Sequence, residues 1–217
     1  MTAADPAFDV WNLSDAGFPT GAHGHSGGLE YAVQAGWVGD RSSFEAWCRR
    51  SLGSLVTLDL RAALRAWYGG PWEEIDDELA SFRTSRVQRE ASAQVGRSFL
   101  RTAADCYPGG EFPEVTSSDQ IQFPVAWGAV FRALGLPAAD MARTLVFGAA
   151  RQWTQVAVRI IPLGQKDAFP ALTEVLHSLP TLETSPEEAA RPLESLALGM
   201  ELAGLGMGNL ERKYFRS

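Results

Sequence analysis

The sequence predicts an all-α fold, a single-domain helical bundle of about eight to ten helices. No run of alternating apolar and polar residues survives a pass along the chain, so there is no candidate strand. Apolar residues instead recur at three- and four-residue steps through most of it, the spacing that puts them on one face of a helix. Proline and glycine punctuate these runs where helices start and stop. At 217 residues the chain is long enough for one substantial core, burying about 70% of the surface its unfolded form exposes. Residues 1–217 are therefore read as one domain, with a flexible N-terminus over 1–12 and a tail over 209–217.

In order, Ser14 to Val38 opens with Gly17, Pro19, Gly21, Gly24, Gly27 and Gly28, which exclude a regular helix until the last glycine. A short helix follows, with Ser26 as its expected cap and Gly36 as its stop. Asp40 to Tyr68 reads as helix, Ser42 and Glu45 forming a capping box. Gly53, Asp59 and Arg61 interrupt its apolar face, so it either splits in two or uses Asp59 as a polar partner inside the bundle. Pro71 opens the next helix, with Glu73 to Glu78 near its positive end. Ser81 to Tyr107 is amphipathic, its arginines the expected partners of that acidic cluster. Pro108 to Asp119 is a loop.

Phe123 to Gly135 is apolar round its circumference, as a central buried helix requires. Pro137 then opens a long helix ending at Pro162 and Gly164, with Arg159 in its last turn. Gln165 to Leu179 is helical despite Pro170. Ser185 caps a final helix expected to run until Gly204, Gly206 and Gly208 dissolve it. The remaining residues are basic and aromatic on an otherwise acidic chain, and Tyr214 and Phe215, set among Arg212, Lys213 and Arg216, have the composition of a docking peptide.

Composition excludes several classes. A hydrophobic fraction of 46% with 21% charged residues argues against a disordered adaptor. The net charge of −7 offers no footprint for phosphate backbones, so nucleic acid is not an expected partner. Cys48 and Cys106 are read as buried thiols in a reducing compartment. No stretch has the ~18 apolar residues of a membrane span, and the first residues lack a secretion signal, so a cytoplasmic protein is expected.

The glycine-rich stretch admits three chemical readings. Gly24-His25-Ser26-Gly27-Gly28 matches G-x-S-x-G, the nucleophile elbow of serine hydrolases, but the strand an elbow needs is missing from the pattern. His23 and His25 are spaced as a strand chelate without the further ligands of a metal shell. The glycines and the following helix suit a phosphate cradle, without its lysine. None accounts for the whole stretch.

The run from Phe18 to Val38, which contains Pro19, Gly21, Ser26, Gly28, Leu29 and Glu30, resembles the N-terminal signature of the urease accessory protein UreF family, L-P-x-G-x-x-x-x-S-x-G-L-E-x-A-x-x-x-G. Ala157-Val-Arg-Ile-Ile-Pro-Leu-Gly-Gln165 resembles the family's A-x-[RK]-L-x-P-[LF]-G-Q segment, and Lys213-Tyr-Phe-Arg-Ser217 its R-L-F-R-S ending. The resemblance implies an all-α, non-catalytic maturation chaperone without a cofactor of its own. Such a protein forms a homodimer and joins UreD (UreH) and the GTPase UreG in a complex that delivers nickel to apo-urease. It further implies that Glu30, Arg159 and Gln165 lie on the UreG-facing or dimer surface, and that Arg212, Lys213, Tyr214, Phe215 and Arg216 form the UreD-binding tail. The chain departs from the pattern where Glu211 replaces a tyrosine, Tyr214 a leucine, and Ala22 to His25 the usual G-[FY]-S-[YWH]. A serine hydrolase using Ser26 is the competing class.

Overall fold

The computed structural model describes residues 5–21, 25–114, 120–210 and 214–215. It is all-α, with eleven α-helical segments and no strand among the described residues. These are α1 (Pro6–Ser14), α2 (Leu29–Gln34), α3 (Arg41–Leu55), α4 (Arg61–Trp67), α5 (Trp72–Phe82), α6 (Arg86–Cys106), α7 (Phe123–Ala133), α8 (Ala138–Ile160), α9 (Gln165–His177), α10 (Pro186–Ala189) and α11 (Leu198–Gly206). A π-helical turn, Val56–Leu60, joins α3 to α4, and a 3₁₀ turn, Met207–Asn209, follows α11.

Several expectations are corrected by local chemistry. Residues 6–12, expected to be flexible, belong to α1, which starts where the Asp5 carboxylate accepts the Ala7 amide and Pro6 takes the first turn. The cap of α3 is Asp40 rather than Ser42, and its capping-box partner is Ser43. Gly28, not Ser26, caps α2. The last helix does not run unbroken from Ser185, because Pro192 has no amide to donate and disfavours helix at the residue before it. The chain leaves α10 and re-enters helix only at Leu198. Cys106 is exposed, whereas Cys48 is buried, and burial pushes the Cys48 thiol well up from its ordinary value. Among the described residues the acidic cluster of α5 forms no ion pair with α6, where one was expected: Glu78 pairs with Arg65 of α4 and Arg86 with Glu90.

The core is built round α7, whose residues Pro124 to Phe131 are all buried. Its closest neighbour is α4. The two can approach because position 128 is glycine: a Cβ there would overlap the Ala63 carbonyl, whose carbon would lie only 2.8 Å away. Gly96 of α6 likewise lies under the backbone of Ile121 and Gln122, where α7 begins. Phe99, Phe123, Trp127 and Phe131 then fill the space between α6 and α7, with ring centroids 4.8–5.5 Å apart. A second apolar cluster joins α2, α3, α8 and α9 around Leu29, Phe44, Leu52, Trp153 and Ala171.

The π turn resolves the ambiguity at Gly53 and Asp59. One residue too many per turn shifts the helix register, so Thr57 and Asp59 both find partners. Thr57 donates to the Glu194 carbonyl at 2.7 Å and its own carbonyl accepts the Glu194 amide at 3.2 Å. Asp59 pairs with Arg83. Next to it, Arg61 reaches Glu188, the Pro192 carbonyl and Glu194, while Arg65 donates to the carbonyls of Ala189 and Arg191. The extended segment after α10 is thus strapped to α4 by guanidinium groups, whose planar forks suit several acceptors at once.

From the middle of α5, the buried Asp76 carboxylate accepts the Gln122 amide at 2.5 Å, holding the residue that caps α7.

Gly128→Ala lowers stability by about 2 kcal/mol through overpacking, whereas Gly53→Ala, where an added Cβ meets nothing within 4 Å, raises it by about 0.5 kcal/mol; urea denaturation midpoints measure both. Burial pushes the Asp76 carboxyl up to about 6, with Asp77 adding to the rise and the Gln122 amide and Arg83 opposing it. Its folded pKa therefore exceeds the unfolded value of about 4, so its contribution is full below about pH 4 and lost as pH rises through 6. The stability of the wild type relative to Asp76→Asn accordingly falls between pH 4 and pH 7 in equilibrium unfolding.

Candidate functional site

The described parts of the glycine-rich stretch, residues 17–21 and 25–28, lie against α6, α8 and the 3₁₀ turn. The Pro19 carbonyl accepts the hydroxyls of Ser98 at 3.2 Å and Thr102 at 3.5 Å. Gly21 has positive φ. The carbonyl of the buried His25 accepts the Gln152 side-chain amide at 2.7 Å. Gly28 caps α2 at φ +88°, a left-handed conformation that glycine adopts without a steric cost, and a Cβ there would press on Ala203 of α11 at 3.1 Å. Leu29 is buried in the second cluster. His23 and Gly24 lie outside the described residues.

Ser26 is fully buried, its hydroxyl 3.8 Å from the Met207 sulfur. A nucleophile elbow exposes its serine at the top of a sheet; here there is no strand among the described residues, and His177, the later histidine a triad needs, is exposed at the end of α9. The elbow reading fails on both counts. Among the described residues no three His, Cys, Asp or Glu side chains group as metal ligands, and no helix is long and apolar enough to cross a membrane.

The residues that the signature motifs bring together are Glu30 and the chain terminus. Glu30 is 1% exposed. Its Oε1 accepts the Tyr214 amide at 2.6 Å and its Oε2 the Phe215 amide at 3.1 Å. Phe215 is 7% exposed and belongs to the second apolar cluster, while Tyr214 is 76% exposed. Arg212, Lys213 and Arg216 lie outside the described residues. Arg159 and Gln165 are exposed on either side of the turn from α8 to α9. Arg159 has no ion pair among the described residues, and it shares with His25, Trp153, Met200 and Phe215 the lining of a cavity of about 450 Å³.

The same cavity reaches the Asp59–Arg83 pair and Gln88. Burial pushes the Asp59 carboxyl up, and the Arg83 guanidinium opposes that rise. The Arg83 Nε is buried without an acceptor among the described residues. Here α11 closes the site: Ser85 donates to the Gly204 carbonyl at 2.9 Å, Glu201 accepts the Thr84 hydroxyl at 2.7 Å, and Gly206 lies against the Tyr31 ring. Sequence reasoning took Gly204 and Gly206 as helix breakers; they stay helical because their missing side chains make room for Gln88 and Tyr31.

The family model for UreF matches residues 38–176, more than half of the chain. The chain belongs to the UreF family. Among UreF proteins it is 33% identical to that of Arthrobacter sp. (strain FB24) over 159 residues, covering 70% of this chain and 71% of the relative. It is 30% identical to that of Kocuria rhizophila over 223 residues, with 96% and 95% covered. It is 32% identical to that of Cereibacter sphaeroides (strain KD131 / KCTC 12085) over 224 residues, with both chains fully covered. Each relative is named as a urease accessory protein. The full-length matches extend the UreF assignment beyond the family model to the glycine-rich loop and the terminus that Glu30 holds.

Proposed function

We propose that the chain is a non-catalytic scaffold of urease maturation, a cytoplasmic chaperone that joins UreD (UreH) and the GTPase UreG in the assembly that delivers nickel to apo-urease. Membership of the UreF family supports the urease accessory role. The observation that carries the scaffold reading is the set of large apolar side chains left open on an acidic chain: Phe8 and Trp11 on α1, Phe147 on α8, Leu198, Leu202 and Leu205 on α11, and Tyr214. Of these, Leu198, Leu202 and Leu205 recur at four- and three-residue steps and give α11 one exposed apolar face, the kind of surface that other subunits cover. Nickel enters as cargo of the assembly, and the chain needs no cofactor for this work.

The terminal residues are the proposed UreD contact, with Lys213 and Arg216 carried over from the family's ending. Arg159 and Gln165 are the proposed UreG contacts, since both are exposed and Arg159 has a charge to offer a carboxylate or an anion. A second copy of the chain is proposed on α8, where Phe147 is 43% exposed beside Gly148, at which an added Cβ meets nothing. That combination lets another backbone approach an aromatic anchor.

Deleting residues 209–217 abolishes capture of UreD in a pull-down from purified components; equal capture by the truncated and full chains refutes the tail assignment. Phe147→Asp lowers the sedimentation mass towards that of one chain, and an unchanged mass removes α8 from the dimer.

A further inference from the structure

We infer that Glu30 is the internal receptor for the chain's own terminal segment, gripping the backbone amides of Tyr214 and Phe215 so that Phe215 anchors inward and Tyr214 is held out towards a partner. The partner half of this inference rests on the scaffold reading above; the grip itself does not.

The geometry is that of a clamp. Each carboxylate oxygen takes one of two consecutive amides, at 2.6 and 3.1 Å. A carboxylate that is 1% exposed needs compensation for lost hydration. Among the described residues Glu30 has no ion pair, and these two charge-assisted bonds are the compensation on view. Because they read main chain, they do not select the side chain at either position. Selection falls to Phe215, whose ring is buried with Leu29, Ala32 and Trp153 in the second cluster.

The two consecutive residues therefore have opposite fates, 7% against 76% exposed. Glu30 thus acts as a positioning residue, one step removed from the surface on which the family motif placed it. The terminus cannot leave without water replacing both amides at the carboxylate, so α2 and the tail are energetically coupled. Changes at Glu30 and in the tail must then fall short of additivity.

The test uses the full chain. In the isolated protein, Glu30→Ala and the isosteric Glu30→Gln speed hydrogen exchange at the Tyr214 and Phe215 amides by about tenfold or more, the factor expected when a net hydrogen bond to a charged group is lost. Helical circular dichroism is retained in at least the Gln variant. Tyr214→Ala leaves the Phe215 amide protected. In pull-downs with UreD, Glu30→Gln and Tyr214→Ala each weaken capture, and the double variant is no weaker than the poorer single one. Unchanged exchange in both Glu30 variants overturns the clamp. Faster exchange with undiminished UreD capture overturns the display of Tyr214. If UreD does not bind the wild-type chain at all, the scaffold reading fails while the exchange rates still decide the clamp.

Discussion

The fold depends on how closely α7 can lie against its neighbours. A helix buried along its length must satisfy packing on every side at once, and the usual distance between helices, 8–10 Å, leaves room for side chains in between. At Gly128 that room is absent, and the α4 backbone takes its place. The contact fixes α4, and through the continuous α3–π–α4 rod it fixes α3 and the base of the second cluster. Gly96 does the same on the α6 side. The aromatic residues between α6 and α7 then have one arrangement open to them, because the backbones have already set the gap.

What remains is held by polar straps. The π turn and Arg61 fasten the extended stretch after α10, Ser85 and Thr84 fasten α11, and Glu30 fastens the terminus. All three link the last thirty or so residues, counted back from 215, to elements formed in the first half of the chain. Long-range polar bonds of this kind contribute modestly one by one. Their placement matters more than their number, since they decide where the exposed leucines of α11 and the ring of Tyr214 point.

Much of this was legible in the residues. The all-α class, the central position of α7, the length of the proline-opened α8 and the persistence of α9 through Pro170 follow from periodicity and punctuation, which are local signals. The beginning of α1 went unread, because Asp5 and Pro6 stand before too short an apolar run and residues 1–12 were expected to be flexible. The π turn was visible only as a fault in the pattern at Gly53 and Asp59, because the Glu194 strap that Thr57 meets there lies well over a hundred residues away in sequence. The break after α10 needed the weight of Pro192 against a favourable run of apolar residues. Glu30 was singled out by a motif, and Tyr214 and Phe215 by composition. Neither signal contains the fact that the acid faces inward and binds those same two residues, since a buried carboxylate and an exposed one look alike on paper.

The Glu30 contact joins residues 184 and 185 positions apart, and synthesis runs from the N-terminus. The acid is therefore made early, and its ligands emerge from the ribosome only once the helices between them exist. Until residue 215 is free, the corner formed by α2 holds a carboxylate that water must serve, and the surface there differs from that of the finished protein. A nascent or truncated chain is thereby distinguishable from a complete one at the corner where the terminus is displayed.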